Sequence, residues 1–360
     1  MSIPRLHHLG TLLAVGLMAS TLACSQHLAA QDTPAPPAAV HQIRGFTMQL
    51  SDPAGLNHYL AAVDEIAAMG CTSINFVMAA RVDNVHSATV SMKWQDLPRA
   101  TDVERILKHA KAKGFYTILM PIVLIEHPGA KEWRGVIEPG AGKPADWDTW
   151  FDSYIMYMRM AATLAHKSDV DLYCVGSELL STEDKRAQWV RTIAEIRKLF
   201  PGKLTYSANW DHYDRPRGGP TFWDQLDYIG MNNYNELAKE PGVPLAQLDE
   251  NWKPIKRDIL KFVAEQKKPF LFTEVGWHNL NNTLGEPWNY VAEGHIDLDE
   301  QKRGYQSFVD TWGGVGTDQF MGALVWEWVP GGDGVKTKGA YTLQGTPALE
   351  VVKKWMAGAK

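Results

Sequence analysis

The chain has 360 residues, 45% of them hydrophobic, and a formal net charge of −5. This length exceeds a typical single domain, but it suits one (β/α)8 barrel, which commonly needs about 250 residues or more. The mild negative charge and the lack of a long basic run argue against nucleic acid as a partner. The 14 tryptophans suit a large core, and they equally suit a sugar-binding cleft, where flat aromatic faces stack on pyranose rings.

Residues 1–30 have the features of an export signal. Arg5 precedes a mostly apolar run at 9–23, which is too short to span a membrane comfortably. Processing either lipidates Cys24, after Thr21-Leu22-Ala23, or cleaves after Ala30. The Pro-rich stretch 31–40 is predicted to be a linker, which leaves 41–360 as one domain. We therefore expect a bacterial periplasmic, surface-attached or secreted protein, with Cys24 as the candidate membrane attachment.

From residue 41 onward, apolar runs typical of strands alternate with helical patterns. Strands are predicted at 43–49, 73–79, 116–122, 172–176, 204–209, 228–231, 270–274 and 322–328. Helices are predicted at 56–69, 102–113, 148–167, 185–200, 248–265, 298–312 and 348–357. Most of the strands are continuous apolar runs, as expected for a parallel sheet that is covered on both faces. Gly70 and Gly114 stand where a helix must stop before the next strand.

Eight strands with intervening helices predict a single-domain (β/α)8 TIM barrel. The alternative is an open doubly wound sheet, which would favour a Gly-rich phosphate loop after the first strand. The segment at 45–49, GFTMQ, is not such a loop. The 12 histidines show no H-E-x-x-H pattern and no paired Cys/His spacing, so we expect neither a metal nor a cofactor.

Two glutamates follow apolar strands in the same local pattern. Glu178 follows the fourth predicted strand, and Glu274 closes the seventh. Functional groups of a barrel lie at the carboxyl ends of its strands, so both side chains are predicted to project over one mouth. Retaining glycoside hydrolysis uses two carboxyls about 5–5.5 Å apart, whereas inverting enzymes need a wider gap. The alternative for each glutamate alone is a solvated or helix-capping acid.

Five short segments, in this order, resemble glycoside hydrolase family 113 of clan A, whose known activity is β-1,4-mannanase. They are EWRGVI at 132–137, WFDSY at 150–154, GSEL at 176–179, DYIG at 227–230 and YTLQGTPA at 341–348. The resemblance covers 41 to the end of the chain and implies Glu178 as acid/base and Glu274 as nucleophile. Ser177 stands where many clan A enzymes carry Asn, so contacts to the sugar 2-hydroxyl are expected from elsewhere.

The resemblance also implies two supporting residues. Tyr234 corresponds to the tyrosine that hydrogen-bonds the nucleophile, and Trp326 to the aromatic floor beneath the sugar. Period-two alternation places Trp326 and Trp328 on one face and Glu327, a candidate sugar-hydroxyl acceptor, on the other. Further subsite candidates follow from loop position alone: Trp133 and Arg134 after strand three, Arg81 after strand two, Asn209 after strand five, Asn233 after strand six and Trp277 after strand seven.

Taken with the resemblance, these residues predict an exported retaining glycosidase for β-1,4-linked hexose polymers or oligosaccharides, with β-mannan as the expected substrate. A clan A glycosidase for β-glucan or xylan is one alternative. A surface barrel that binds polysaccharide without cutting it is another, although such a binder does not need two glutamates at those strand ends. We expect a monomer whose partner is the carbohydrate.

Overall fold

The computed structural model describes residues 42–314 and 318–358. The predicted signal, the linker and Cys24 lie outside these residues. Within the described residues, eight parallel strands close into a barrel in chain order, with β8 paired to β1. The strands are β1 (Ile43–Gln49), β2 (Ser73–Val82), β3 (Tyr116–Ile125), β4 (Leu172–Ser177), β5 (Lys203–Ala208), β6 (Ile229–Asn233), β7 (Phe270–Val275) and β8 (Phe320–Val325). The predicted TIM barrel is confirmed.

Helices follow the strands and cover the outside of the barrel. They are α1 (Leu56–Ala68), α2 (Ala100–Ala112), α3 (Pro144–Lys167), α4 (Arg186–Arg197), α5 (Leu245–Gln266), α6 (Leu298–Trp312) and α7 (Pro347–Met356). The connection from β5 to β6 contains the short 3-10 turns Arg215–Arg217 and Trp223–Gln225. None of the described helices combines the length and the apolarity needed to cross a bilayer.

Glycines permit the close strand approach on both sides of β1. A Cβ added to Gly45 would lie 1.8 Å from the carbonyl oxygen of Ser73 on β2. Gly322 on β8 has a φ of +132°, and a Cβ there would lie 1.7 Å from the carbonyl oxygen of Ile43. Any side chain at either position would push the paired backbones apart, so these two glycines are needed where β1 joins its neighbours.

Apolar side chains fill the barrel interior in layers. One layer contains Ile43, Ile118, Leu172, Leu271, Met321 and Leu324. A second contains Val77, Met120, Ile122 and Cys174, with the half-buried Trp326 packed against it. Because Met120 and Cys174 lie two residues beyond Ile118 and Leu172 on the same strands, the second layer is nearer the carboxyl ends. Trp326 therefore lies at the mouth of the barrel.

The end of β8 differs from the prediction. The strand stops at Val325, so period-two alternation does not extend over the next three residues. The N–H of Trp326 donates to the carbonyl of Val275 at 2.8 Å, and the N–H of Trp328 donates to that of Thr47 at 2.8 Å. Trp328 packs in the outer core, edge-on to Phe46, whereas Trp326 faces the barrel interior. The prediction that the two tryptophans share a face is wrong.

Candidate active site

Glu178 directly follows β4, in a backbone conformation that non-glycine residues seldom adopt, with a φ of +54°. Hydrogen bonds on both sides fix this conformation. The N–H of Glu178 donates to the carbonyl of Ser207 at 2.9 Å, and the N–H of Leu179 donates to the Tyr206 hydroxyl at 2.8 Å. That hydroxyl in turn donates to Glu183 Oε1 at 2.8 Å. The surroundings thus set the direction in which Glu178 leaves the strand.

Two side chains donate hydrogen bonds to the carboxylate of Glu178. Arg134 Nη2 donates to its Oε2 at 2.5 Å, and Asn232 Nδ2 donates to its Oε1. Asn232 is itself oriented, because its Nδ2 lies 3.0 Å from Asn209 Oδ1 and its Oδ1 accepts from the N–H of Trp210 at 2.8 Å. Arg134 and Asn209, both predicted from loop position, therefore lie in the immediate surroundings of Glu178.

Glu274 lies on β7 with only 3% of its surface exposed. The Tyr234 hydroxyl donates to Glu274 Oε2 at 3.0 Å, the contact that the family resemblance implies. Burial and the nearby charge of Glu178 raise the pKa of Glu274 above its ordinary value, while the charge of Arg134 and the bond from Tyr234 act in the opposite direction. Glu274 is therefore a buried carboxyl whose charge depends on its neighbours.

Asn232 lies on β6, between the strands that carry the two glutamates. The register of β6 against β7 places Asn232 beside Glu274, after a bulge that follows Met231. Since Asn232 also donates to Glu178, this one residue is the strand neighbour of Glu274 and a hydrogen-bond partner of Glu178. The charges of Glu178 and Arg134 both act on the pKa of Glu274, as expected for groups that lie close together. A bound molecule would therefore meet two carboxyls, the guanidinium of Arg134 and the hydroxyl of Tyr234.

The sequence comparisons agree with this geometry. The sequence model of Glycoside Hydrolase Family 113 matches residues 56–337. The chain belongs to this family. It is a glycoside hydrolase, as the resemblance of its sequence segments predicted. No curated protein sequence matches the chain.

Solved structures of family 113 share its fold. One described as a complex of a GH113 β-1,4-mannanase has a TM-score of 0.74 at 25% identity and covers 88% of this chain and 99% of its own. The GH113 β-mannanase AaManA from Alicyclobacillus acidocaldarius, in complex with ManMIm, has a TM-score of 0.74 at 24% identity, with coverages of 89% and 98%. A family 5 mannosidase from Rhizomucor miehei, at 12% identity, has a TM-score of 0.60 with coverages of 88% and 93%. The last two comparisons concern the fold alone.

Asn233 of this family 113 chain does not occupy the position predicted for it. Residues i and i+2 of a strand share a face, so Asn232 and Tyr234 both point to the carboxyls while Asn233 points away. Asn233 is fully buried and accepts a hydrogen bond from Asn235 Nδ2 at 2.7 Å. The prediction for Asn233 is wrong by one residue, and Asn232 was missed. If Tyr234 faces the nucleophile, the residue two positions earlier, Asn232, shares its face, so the role implied for Tyr234 could have identified Asn232.

Two other predicted site residues of the family 113 barrel lie away from the carboxyls. Arg81 forms an ion pair with Glu126 at 3.2 Å on the rim, a common arrangement for a surface arginine. Trp277 is fully buried rather than at the mouth, with its ring 5.0 Å from that of Tyr305. Gly304 of α6 makes room for it, because a Cβ there would lie 2.7 Å from the Trp277 ring. The prediction that Trp277 faces the mouth is therefore wrong.

The remaining predicted residues of this family 113 site lie around the mouth. Trp326 is half-buried above the interior layer, and Glu327 accepts a hydrogen bond from Gln49 Nε2 at 2.7 Å. Burial raises the pKa of Glu327. Trp133 is 38% exposed and precedes Arg134 in the loop after β3. Within residues 42–314 and 318–358, no three His, Cys, Asp or Glu side chains are grouped to hold a metal.

Removing the Tyr206 hydroxyl should loosen the support of Glu178 in this family 113 site. Tyr206→Phe leaves the N–H of Leu179 without its acceptor and Glu183 without its donor. Burial raises the pKa of Glu183 to about 8, so its carboxyl is mostly neutral at pH 7 but still needs a partner. We expect a loss of about 1–3 kcal/mol in the free energy of unfolding, measured by urea denaturation, together with a lower kcat. Tyr290→Phe, at an exposed ring, is the control, and equal midpoints for both variants would exclude this supporting role.

Proposed function

We propose that this family 113 enzyme is an exported retaining glycosidase that cleaves β-1,4-linked mannan and manno-oligosaccharides. The observation that carries the proposal is the buried pair Glu178 and Glu274, which meets Asn232 at one mouth. The choice of mannan rests on the β-1,4-mannanase with which the chain shares 25% identity over 88% of its length. Export rests on the signal-like residues 1–30.

The proposed reaction has two displacements. A Glu274 carboxylate oxygen attacks the anomeric carbon while the bond to the glycosidic oxygen breaks, and Glu178 gives its proton to that oxygen. The product is a covalent glycosyl-enzyme on Glu274. Glu178 then takes a proton from a water molecule that attacks the same carbon, which releases the sugar and regenerates the Glu274 carboxylate. Two inversions retain the anomeric configuration.

The pair needs one proton to begin this cycle, and the site favours that state. Burial and the charge of Glu178 raise the pKa of Glu274, so the pocket disfavours a second negative charge there. The hydrogen bond from Tyr234 stabilises the negative charge on Glu274. In the free enzyme Arg134 donates to Glu178 Oε2, and on binding the glycosidic oxygen would replace that contact.

The half-buried ring of Trp326 supplies a surface for the sugar that is attacked. The ring packs against the interior layer at the mouth. The backbone N–H of Trp326 donates to the carbonyl of Val275, the residue directly after Glu274. A flat ring fixed in this way stacks against the apolar face of a pyranose without losing much side-chain entropy. We propose that the sugar lies on Trp326 while Glu274 attacks its anomeric carbon.

A product assay tests the function. Manno-, gluco- and xylo-oligosaccharides are incubated with the enzyme, new reducing ends are measured, and proton NMR identifies the first anomer released. We expect the manno-oligosaccharides to be cut fastest, with the β-anomer appearing first. An α-anomer appearing first would mean inversion and overturn the covalent step. If no new reducing end forms from any of the three, the protein is a polysaccharide-binding barrel instead.

Replacing Arg134 should change the pH dependence of the reaction. Its positive charge lowers the pKa of Glu274, so Arg134→Leu should let the pair keep its proton to higher pH. The alkaline limb of kcat/KM, which reports the free enzyme, should therefore move up by about 1 pH unit or more. Arg81→Leu, which removes a rim arginine paired with Glu126, is the control and should leave the limb in place. A limb that moves down or does not move in Arg134→Leu would contradict the assigned coupling.

A further inference from the structure

A chain of hydrogen bonds links the carboxyl of Glu178 to the protein surface. Asn232 Nδ2 donates to Glu178 Oε1 and also lies 3.0 Å from Asn209 Oδ1. Asn209 Nδ2 in turn donates to Asp211 Oδ1 at 2.6 Å. The same oxygen of Asp211 lies 2.8 Å from Nδ1 of the partly exposed His212. Two buried amides and one partly exposed carboxylate therefore connect the proposed proton donor to solvent.

The groups at the two ends of the amide pair set the direction of its hydrogen bonds. A carboxylate can only accept, so Asp211 must meet Nδ2 of Asn209, which leaves the oxygen of that amide facing Asn232. A backbone N–H can only donate, and the N–H of Trp210 occupies Asn232 Oδ1 at 2.8 Å. Both restrictions turn the nitrogen of the Asn232 amide, rather than its oxygen, toward Glu178.

A tight turn directly after β5 holds Asn209 and Asp211 in place. The backbone N–H of His212 donates to the carbonyl of Asn209 at 3.0 Å and closes this turn. The loop that follows packs directly on it, because a Cβ added to Gly219 would lie 2.4 Å from the carbonyl oxygen of His212. The side chain of Asp211 is 41% exposed, so its replacement leaves no buried charge without a partner.

The two oxygens of Glu178 consequently have different kinds of partner. Oε1 meets the fully buried amide of Asn232, which belongs to the barrel wall. Oε2 meets Arg134, which lies on the loop after β3 and whose contact the glycosidic oxygen would replace in the proposed reaction. Because a fixed N–H donor occupies Oε1, the proton that the leaving oxygen needs is carried by Oε2.

We infer that Asp211 is a positioning residue for the acid/base Glu178, because it fixes the two amides that present an N–H group to Oε1 and thereby leaves Oε2 to transfer the proton. This inference rests on the proposed glycosidase function and adds a residue that acts on one of its two carboxyls. Within the described residues, no side-chain hydrogen bond joins this chain of groups to Glu274, so the attack of the nucleophile should not depend on Asp211.

The dependence of the rate on the leaving group tests this role. Manno-oligosaccharides and phenyl β-mannoside need a proton on the leaving oxygen, whereas dinitrophenyl β-mannoside does not. We expect Asp211→Ala to lower kcat/KM for the first two by about tenfold, the effect of losing one hydrogen bond to a charged group. The kcat/KM for dinitrophenyl β-mannoside, which reports the first displacement, should stay unchanged. Asp211→Asn, whose amide oxygen can still accept from Asn209, should recover part of the loss.

A double-mutant cycle separates this role from a general disturbance of the loop. In the Glu178→Ala background, Asp211→Ala should have no further effect on phenyl β-mannoside, since the residue that it positions is absent. Asp214→Ala removes a carboxylate of the same loop that accepts from the N–H of Arg217, and this matched control should leave all three substrates unaffected. Equal losses on all substrates, no loss on any, or the full loss again in the Glu178→Ala background would overturn the positioning role and leave the glycosidase function in place. Failure of the unmodified enzyme to hydrolyse any glycoside would instead overturn the proposed function and, with it, this inference.

Discussion

Glu274→Ala should lower kcat for β-mannoside hydrolysis by about 10⁴-fold or more, because the covalent intermediate can no longer form. Substrate binding should be retained, since Trp326 and the rest of the mouth are unchanged. Azide added with an activated aryl β-mannoside should restore turnover by entering the space left by the carboxylate. Attack from that side gives the α-mannosyl azide, which proton NMR distinguishes from the β-form.

The control for this experiment is Glu265→Ala, which replaces a glutamate far from the mouth and should retain full activity. Near-normal rates of Glu274→Ala on every substrate that the enzyme cleaves would show that another group is the nucleophile. Rescue that yields the β-mannosyl azide would mean that azide attacks from the side of the acid/base residue. The roles assigned to Glu274 and Glu178 would then have to be exchanged.

Glu178→Ala should affect substrates according to their leaving group. Manno-oligosaccharides, whose leaving oxygen needs a proton, should lose about 10²–10⁴-fold in kcat/KM. Dinitrophenyl β-mannosides need no proton, so the first displacement should remain fast. The second should become slow because no base activates water. A burst of dinitrophenol and a covalent adduct seen by mass spectrometry are the expected observations.

Glu178→Gln provides the comparison, since the amide keeps the size of the side chain but cannot supply a proton. It should show the same dependence on leaving group as Glu178→Ala. Equal losses for good and poor leaving groups, with no burst, would mean that Glu178 positions the substrate rather than transfers a proton. That result would leave the assignment of Glu274 unaffected.

The barrel could be predicted from the sequence because its signals are local. Buried strands are short apolar runs, and residues such as Gly70 and Gly114 end the helices between them. Glu178 and Glu274 follow from the same logic, since the carboxyl end of a barrel strand points to the mouth wherever its loop goes. Arg134 lies in a long loop, so its loop position predicted a place near the mouth but not its hydrogen bond to Glu178.

The errors come from features that depend on contacts between distant residues. A register shift between β6 and β7, which leaves Thr273 of β7 unpaired, sets Glu274 opposite Asn232, and a strand register cannot be read from one strand alone. Trp277 is buried because a glycine in α6, far along the chain, leaves space for its ring. β8 ends at Val325 and strict alternation ends with it, so the pattern at 326–328 was misread. Export, lipidation of Cys24 and the monomeric state stay predictions.

The left-handed backbone at Glu178 sets stability against activity at one position, because the conformation favours glycine whereas the proposed reaction needs a carboxyl. Glycine, and to a lesser degree asparagine, adopts such a φ with little cost, whereas a residue with a longer side chain is disfavoured there. The barrel alone would therefore prefer a residue that cannot transfer a proton. In the proposed mechanism, the need for a proton donor explains why a glutamate stands there. In any descendant that loses its substrate, we expect residue 178 to be among the first active-site positions to drift.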